Sequence, residues 1–257
     1  MTDVWDELRR HTRARIGLGR AGNGLPTQRH LEFVAAHAVA RDAVHTPLDV
    51  ASLVERLRAL DLGGAQDGRA FGDPLTVRSA AENRAVYLRR PDLGRRPEEG
   101  TALPHSGADI GIALCDGLSS TAILAHGPEL AAAIVRALPG LTFTPPVIAT
   151  QARVALGDHI GAQLGVTTML VLIGERPGLS VADSVGVYLT HHPEPGRRDS
   201  ERNCVSNIHP PHGMSCEQAA RVVAALVDGA RRLGASGVTL KDSSRDPSLT
   251  AAEQRAL

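Results

Sequence analysis

The residues best placed to do chemistry stand in a run from Gln151 to Gly178, QARVALGDHIGAQLGVTTMLVLIGERPG. A short helix there feeds an apolar strand that stops at Gly174-Glu175-Arg176-Pro177-Gly178. An acid and a base beside a glycine and a proline, where a buried strand ends, point to a ligand site. Open α/β sheets bind ligands in the crevice outside the carboxyl ends of their strands. Other predicted strand ends deliver Asp116, the segment from Gln151 to Val154, and the pair His191 and His192. In a parallel sheet these ends share one edge and form a single rim. Taken singly, Asp116 and Glu175 read equally well as caps of a helix or a turn; together they read as a site.

A second constellation competes. Cys204, His209, His212 and Cys216 place two thiols and two imidazoles within thirteen residues, the right ligand types for tetrahedral zinc. Their spacing departs from the usual zinc pairs, and Pro210 and Pro211 stiffen the gap between the histidines. The Gly-rich stretch RIGLGRAGNG (15–24) is not a dinucleotide fingerprint, since no strand precedes it. It reads as a surface loop whose Arg15 and Arg20 could hold an anion. A phosphate loop and a Gly-x-Ser-x-Gly nucleophile elbow are both absent, and Cys115 falls inside an apolar strand, where thiols are inert. A zinc-stabilised interaction module and a stand-alone α/β nucleotide-binding or hydrolase domain stay open as alternatives at this level.

The elements that must position these groups follow from periodicity. Val4, Leu8 and Ile16 fall at helical spacing. Thr27 is a plausible cap for a helix through Val44 with Leu31, Val34, Ala35 and Ala38 on one stripe, and a third helix covers Val50 to Leu60 before LGGAQDG stops it. Val77 and Val86 to Leu88 read as short strands or extended segments. Beyond them, IGIALC (110–115), PVIAT (146–150), TTMLVLI (167–173) and VGVYLT (185–190) are strands. Helices lie between them: one capped by Ser119 or Ser120 and running to about Leu138, and one from Asp158 to Leu164 ended by Gly165. A last helix starts at a Ser215–Gln218 capping box, carries Ala219, Val222, Val223, Leu226, Val227 and Ala230 inward, and ends at Gly234. These units predict an α/β fold, a Rossmann-like mostly parallel sheet flanked by helices, with a helical N-terminal region. The division falls at RPDLGRR, with a helical region and linker over 1–95 and the α/β domain over 96–257.

Composition excludes several classes. The chain has 257 residues, 28 basic and 28 acidic, and is formally neutral, which argues against a nucleic-acid binder. Nearly all the positive charge is arginine, with Lys241 the only lysine. Aromatics make up 2%, so Ala, Val, Leu and Ile must build the core. No apolar run approaches the roughly 20 residues that span a bilayer, the start MTDVWDELRRHTR is no signal peptide, and three cysteines make no disulfide framework. A cytoplasmic protein with reduced thiols is expected.

Taken in order, RIGLGRAG near the start, YLRRPDLGRR (87–96), DGLS (116–119), RVALGDHIG (153–161), IGERPGLS (173–180) and RNCVSNI (202–208) resemble the small (light) subunit of adenosylcobalamin-dependent ethanolamine ammonia-lyase. The resemblance spans nearly the whole chain. It implies one subunit of a radical enzyme that converts ethanolamine to acetaldehyde and ammonia. A large barrel subunit would hold the substrate, and the assembly would be a hetero-oligomer built from heterodimers. By the same resemblance Val154, Glu175 and Cys204 contact adenosylcobalamin, residues 96–257 form the cobalamin-contacting domain, and no residue of this chain is catalytic or metal-ligating. Cys204 then lines a corrin pocket instead of a zinc site. The string Asp158-His159-Ile160-Gly161 lacks the Asp-x-His-x-x-Gly spacing of proteins whose histidine replaces cobalamin's own base. Arginine-rich loops such as Arg89 to Arg96 would dock on the large subunit. The chain starts directly with its first helix, which argues against packaging into a protein-shelled microcompartment.

Overall fold

A computed structural model describes residues 4–60 and 71–244; the LGGAQDG helix stop lies outside them. Three helices come first, α1 (Val4–Arg9), α2 (Thr27–His45) and α3 (Val50–Arg58). A six-stranded sheet follows, formed by β1 (Leu75–Arg78), β2 (Ile110–Cys115), β3 (Val147–Thr150), β4 (Thr168–Gly174), β5 (Val185–His191) and β6 (Asn203–Ile208). Between or after the strands stand α4 (Arg84–Arg89), α5 (Ser120–Ala137), α6 (Leu156–Leu164) and α7 (Cys216–Leu233).

The strand order is β1-β3-β2-β4-β5-β6. The first four run parallel, but β5 is antiparallel to β4 and β6 antiparallel to β5. The fold is therefore mixed α/β with a mixed sheet, and the expected Rossmann-like, mostly parallel arrangement is corrected. The reason is the connections. A parallel return needs a crossover of a dozen or more residues, usually a helix. Residues 175–184 between β4 and β5 contain no helix, and residues 192–202 before β6 hold only a 3-10 turn at Asp199–Glu201. Both connections turn the chain straight back.

Central strands are apolar throughout because both faces are covered. All six residues of β2 and all seven of β4 are buried. On one face Ile112, Leu114, Leu170 and Leu172 pack with α5 and α7. On the other, Ala113, Cys115, Met169 and Val171 pack with Leu156, Ile160 and Leu164 of α6. Cys115 sits in that second cluster, and burial raises its thiol pKa.

Several local expectations hold. Ser119 caps α5 by accepting from Ala122 N at 3.3 Å. Ser215 and Gln218 close the predicted box on α7, and Gly165 and Gly234 end α6 and α7 with φ of 68° and 72°. Others are corrected. Pro26, without a side-chain hydrogen bond, takes the position given to Thr27. Ile16 lies beyond α1, and Val86 to Leu88 are helical in α4, where Asn83 Oδ1 accepts from Val86 N at 3.0 Å. On α2 the stripe of Leu31, Val34, Ala35 and Ala38 is exposed, and Ala43 is the helix's one buried residue among those described. Among the described residues no helix is long and apolar enough to cross a membrane.

Candidate functional site

Where β2 and β4 end, their chains touch. The turn after β2 is Asp116-Gly117-Leu118-Ser119, and Leu118 N donates to Gly174 O at 2.9 Å. Gly117 has φ 54°, and a Cβ there would lie 2.2 Å from Gly174 O. A Cβ on Gly174 would in turn lie 2.0 Å from Ser119 O. Only glycine at both positions allows the two backbones this close. The glycines of DGLS and GERPG thus meet at the floor of a cleft of about 440 Å³.

Asp116 does not face the ligand space. It is buried, accepting from Gln151 N at 2.8 Å, from Ala152 N at 2.9 Å and from Arg84 at 3.1 Å. Burial pushes its carboxyl pKa up, against the pull of these donors. Its task is to shape the turn after β3, where Gln151 takes φ 53° and presents Arg153 and Val154 to the cleft.

One wall is an aromatic stack. Two guanidinium groups lie over the Tyr87 ring, that of Arg84 4.9 Å from its centroid and that of Arg153 at 4.5 Å. Its hydroxyl donates to Ala152 O at 3.0 Å, and burial raises its pKa. The loop RPDLGRR closes over this stack, with Gly94 O accepting from Arg153 N at 2.8 Å. A Cβ on Gly94 would strike both Tyr87 and Arg153 at 2.9 Å.

The facing wall holds Glu175 and Tyr188. Glu175 accepts from Ser184 Oγ at 2.7 Å and, at 3.3 Å, from the backbone N–H of Asn207, a residue with φ 63°. Tyr188 pairs across the ladder with Cys204, and burial with the Cys204 contact pushes its hydroxyl up to about 12. Cys204 is exposed, and partial desolvation raises its thiol pKa. Val154 and Glu175 therefore line one cleft, and Cys204 stands beside it, one cross-strand neighbour away.

The predicted single rim is only partly assembled. Because β5 runs the other way, His191 pairs with Thr168 at the start of β4, its Nδ1 2.9 Å from Thr168 Oγ1. His191 and His192 stand at the opposite edge from Glu175. The zinc arrangement is not assembled either. Cys216 is buried on α7, His209 Nε2 is 2.9 Å from Asn207 Oδ1, and no group of three or more His, Cys, Asp or Glu among the described residues could hold an ion. No strand leads into the glycine stretch of 17–24, which lies between α1 and α2.

Sequence reasoning missed the pair that joins two of the motifs. Asp158 of RVALGDHIG and Arg202 of RNCVSNI form a buried two-pronged ion pair, at 2.5 and 2.7 Å. Arg202 also donates to Thr190 Oγ1 at 2.9 Å and to Arg197 O at 2.8 Å. Burial pushes the Asp158 carboxyl up while the guanidinium opposes it. Tyr87 and Tyr188 were missed as well, although a tyrosine in a chain with two of them was a usable signal, whereas Arg153 falls in the segment from Gln151 to Val154 that the strand ends delivered.

The chain is similar to known proteins along nearly its whole length. A model of the family Ethanolamine ammonia-lyase light chain (EutC) matches residues 2–241. The chain belongs to that family. Named relatives agree. The ethanolamine ammonia-lyase small subunit of Rhodococcus erythropolis is 57% identical over 252 residues, covering 98% of this chain and 95% of that protein. The small subunits of Azotobacter vinelandii (46%, 93% of this chain, 88% of that protein) and Rhodopseudomonas palustris (45%, 96% and 94%) are similar along nearly the same span. The light-chain family is part of a lyase, and this membership gives the cleft its context.

Proposed function

We propose that this light chain closes one side of an adenosylcobalamin site shared with a large subunit, in an enzyme that converts ethanolamine to acetaldehyde and ammonia. The observation that carries the reading is the meeting of Val154 and Glu175 in one cleft with Cys204 beside it. The donor set suits a corrin edge. Carboxylates accept about four hydrogen bonds, so Glu175 keeps acceptor capacity after Ser184 and Asn207 for amide N–H groups of the corrin side chains. Val154, Leu118 and Ile173 offer apolar contact beside it. When bound, the cofactor supplies the radical chemistry; this chain binds and orients it. A cleft of about 440 Å³ takes an edge of a corrin, not the whole cofactor, so the remainder must be covered by another chain.

We infer that the covering chain is the large subunit and that the N-terminal region over 1–95 faces it, together with the exposed arginines of the loop Arg89 to Arg96. Among the described residues, eight of the eleven exposed large apolar side chains fall between Val4 and Val39, among them Trp5, Leu31 and Phe33. The same arm is tied to the loop that follows Glu175, since Arg15 donates to Leu179 O at 3.0 Å and Ser180 Oγ to Arg13 O at 3.2 Å. A concentration of exposed apolar side chains in one segment suits a protein contact. The expected assembly is a hetero-oligomer of heterodimers in the cytoplasm, without nucleic acid or membrane.

The test is reconstitution. This chain, a large subunit, ethanolamine and adenosylcobalamin together should release acetaldehyde, and omission of any one should abolish it. In the complex, Glu175→Ala should weaken cobalamin binding about ten- to a hundred-fold, the usual cost of losing a buried hydrogen bond to a charged acceptor. Unchanged affinity would remove Glu175 from the site, and self-association of this chain without uptake of the large subunit would overturn the partner reading.

A further inference from the structure

Val154 and Cys204 stand on elements that the chain supplies separately. Val154 lies in the turn after β3, two residues before α6, and Cys204 lies on β6, a strand at one edge of the sheet. Helix α6 packs through Leu156, Ile160 and Leu164 on the face formed by β2 and β4. Beside it, the same face of β5 and β6 carries Tyr188 and the exposed Cys204. Apolar packing is non-directional, so it does not by itself fix where the start of a nine-residue helix stands relative to an edge strand.

One buried contact does. Asp158 is in the first turn of α6, four residues after Val154, and Arg202 immediately precedes β6, two residues before Cys204. Their side chains are 1% and 2% exposed and meet through two prongs, at 2.5 and 2.7 Å. The same guanidinium is tied to β5 through Thr190 Oγ1 at 2.9 Å and to Arg197 O at 2.8 Å. A two-pronged pair fixes distance and angle together. Stability alone does not call for it, since a buried ion pair can often be replaced by apolar residues of similar volume without loss. A pair that stability does not require, joining the segments that carry Val154 and Cys204, points to a task of placement.

We infer that Asp158 and Arg202 are positioning residues for the cofactor: the pair locks the start of α6 to the β5–β6 ladder and so sets the distance between the Val154 turn and the wall of Tyr188 and Cys204. The inference rests on the proposed cobalamin site and extends it to two residues that do not line the cleft.

The experiment measures binding of hydroxocobalamin to the two-subunit complex by equilibrium dialysis, alongside the unfolding midpoint of each variant. Asp158→Leu combined with Arg202→Met removes the pair without leaving a buried charge, so fold and assembly should survive while affinity falls about tenfold or more, the scale of losing partners that orient binding groups. Arg202→Lys keeps the charge but not the planar fork and should fall between the double variant and the unmodified complex. Leu226→Ala, in the core on the other face of the sheet, is the control. It should lower the midpoint at least as much as the double variant and leave affinity unchanged. Equal losses of affinity in Leu226→Ala and the double variant would make the pair an ordinary contributor to stability and overturn the inference. Full affinity in the double variant while Glu175→Ala is weakened would also overturn it, and would leave the cobalamin site standing. If Glu175→Ala and Val154→Glu bind as the unmodified complex too, the site itself is wrong and the inference falls with it. Should the double variant fail to fold, Arg202→Lys decides alone: weaker binding at an unchanged midpoint supports placement, and unchanged binding overturns it.

Discussion

Helices α2 and α7 have almost the same length, 19 and 18 residues, and both carry apolar residues at helical spacing. Helix α7 buries seven residues, including Val223, Leu226 and Val227, against β5, β6 and α5. Helix α2 buries Ala43 alone. Periodic apolar residues give a helix something to bury, but the sheet decides whether there is anything to bury it against. On α7 polar residues fill the opposite face and a capping box fixes the start. On α2 Phe33 and Val39 lie outside the predicted stripe, the apolar side chains are spread around the helix, and no side chain caps its N-terminus. Helix α7 is built to pack within this chain; α2 is left exposed, as the proposed contact with a large subunit requires.

The contrast can be broken hardest in the interior, at the buried ion pair. Arg202→Met leaves Asp158 buried without its partner and should cost about 3–5 kcal/mol of stability in denaturant unfolding. Replacing both members with apolar residues should cost much less, because no uncompensated charge remains. Equal losses for the single and double variants would mean the cost is packing. Next, Leu226→Ala on α7 removes a core side chain and should destabilise by about 2–5 kcal/mol.

Acidification should separate the folded body from solvent-facing parts with a smaller effect. Burial holds His159, His191 and His209 below the ordinary histidine value of 6.5. The unfolded chain therefore takes up protons first as pH falls. The stability contributed by these neutral rings is present above about pH 6.5 and is lost as pH drops through their folded values. Thermal midpoints measured from pH 7.5 to 5.5 should decline, and His191→Gln should flatten the decline. The raised carboxyls of Asp116 and Asp158 pull the other way, so an unchanged slope in His191→Gln, rather than the sign of the slope, would contradict the histidine shift. The smallest effect belongs to α2: Leu31→Ala, on an exposed position, should change the stability of the isolated chain by less than about 0.5 kcal/mol. A loss as large as that of Leu226→Ala would mean that α2 packs within the chain.

The sequence by itself determined the local pieces of this protein. Central strands announced themselves as apolar runs, α5 and α7 by their caps, and the glycine stops of α6 and α7 by the φ they require. It also placed Glu175 directly after β4, because a strand end is a local property, and its motifs carried the family resemblance. What only the tertiary structure decided were relations between distant residues. The direction of β5 moved His191 and His192 to the far edge, since strand polarity is set by whether the connection can cross the sheet. The Asp158–Arg202 pair spans 44 positions and has no local signature. Asp116, legible as a site candidate, became a structural acceptor because its partners at 151 and 152 arrive from another strand. Arg153 lines the cleft because Tyr87 and Gly94, far earlier in the chain, fold back against it. Periodicity reports what a segment can bury; only the packed sheet fixes which side chains meet and which are left exposed.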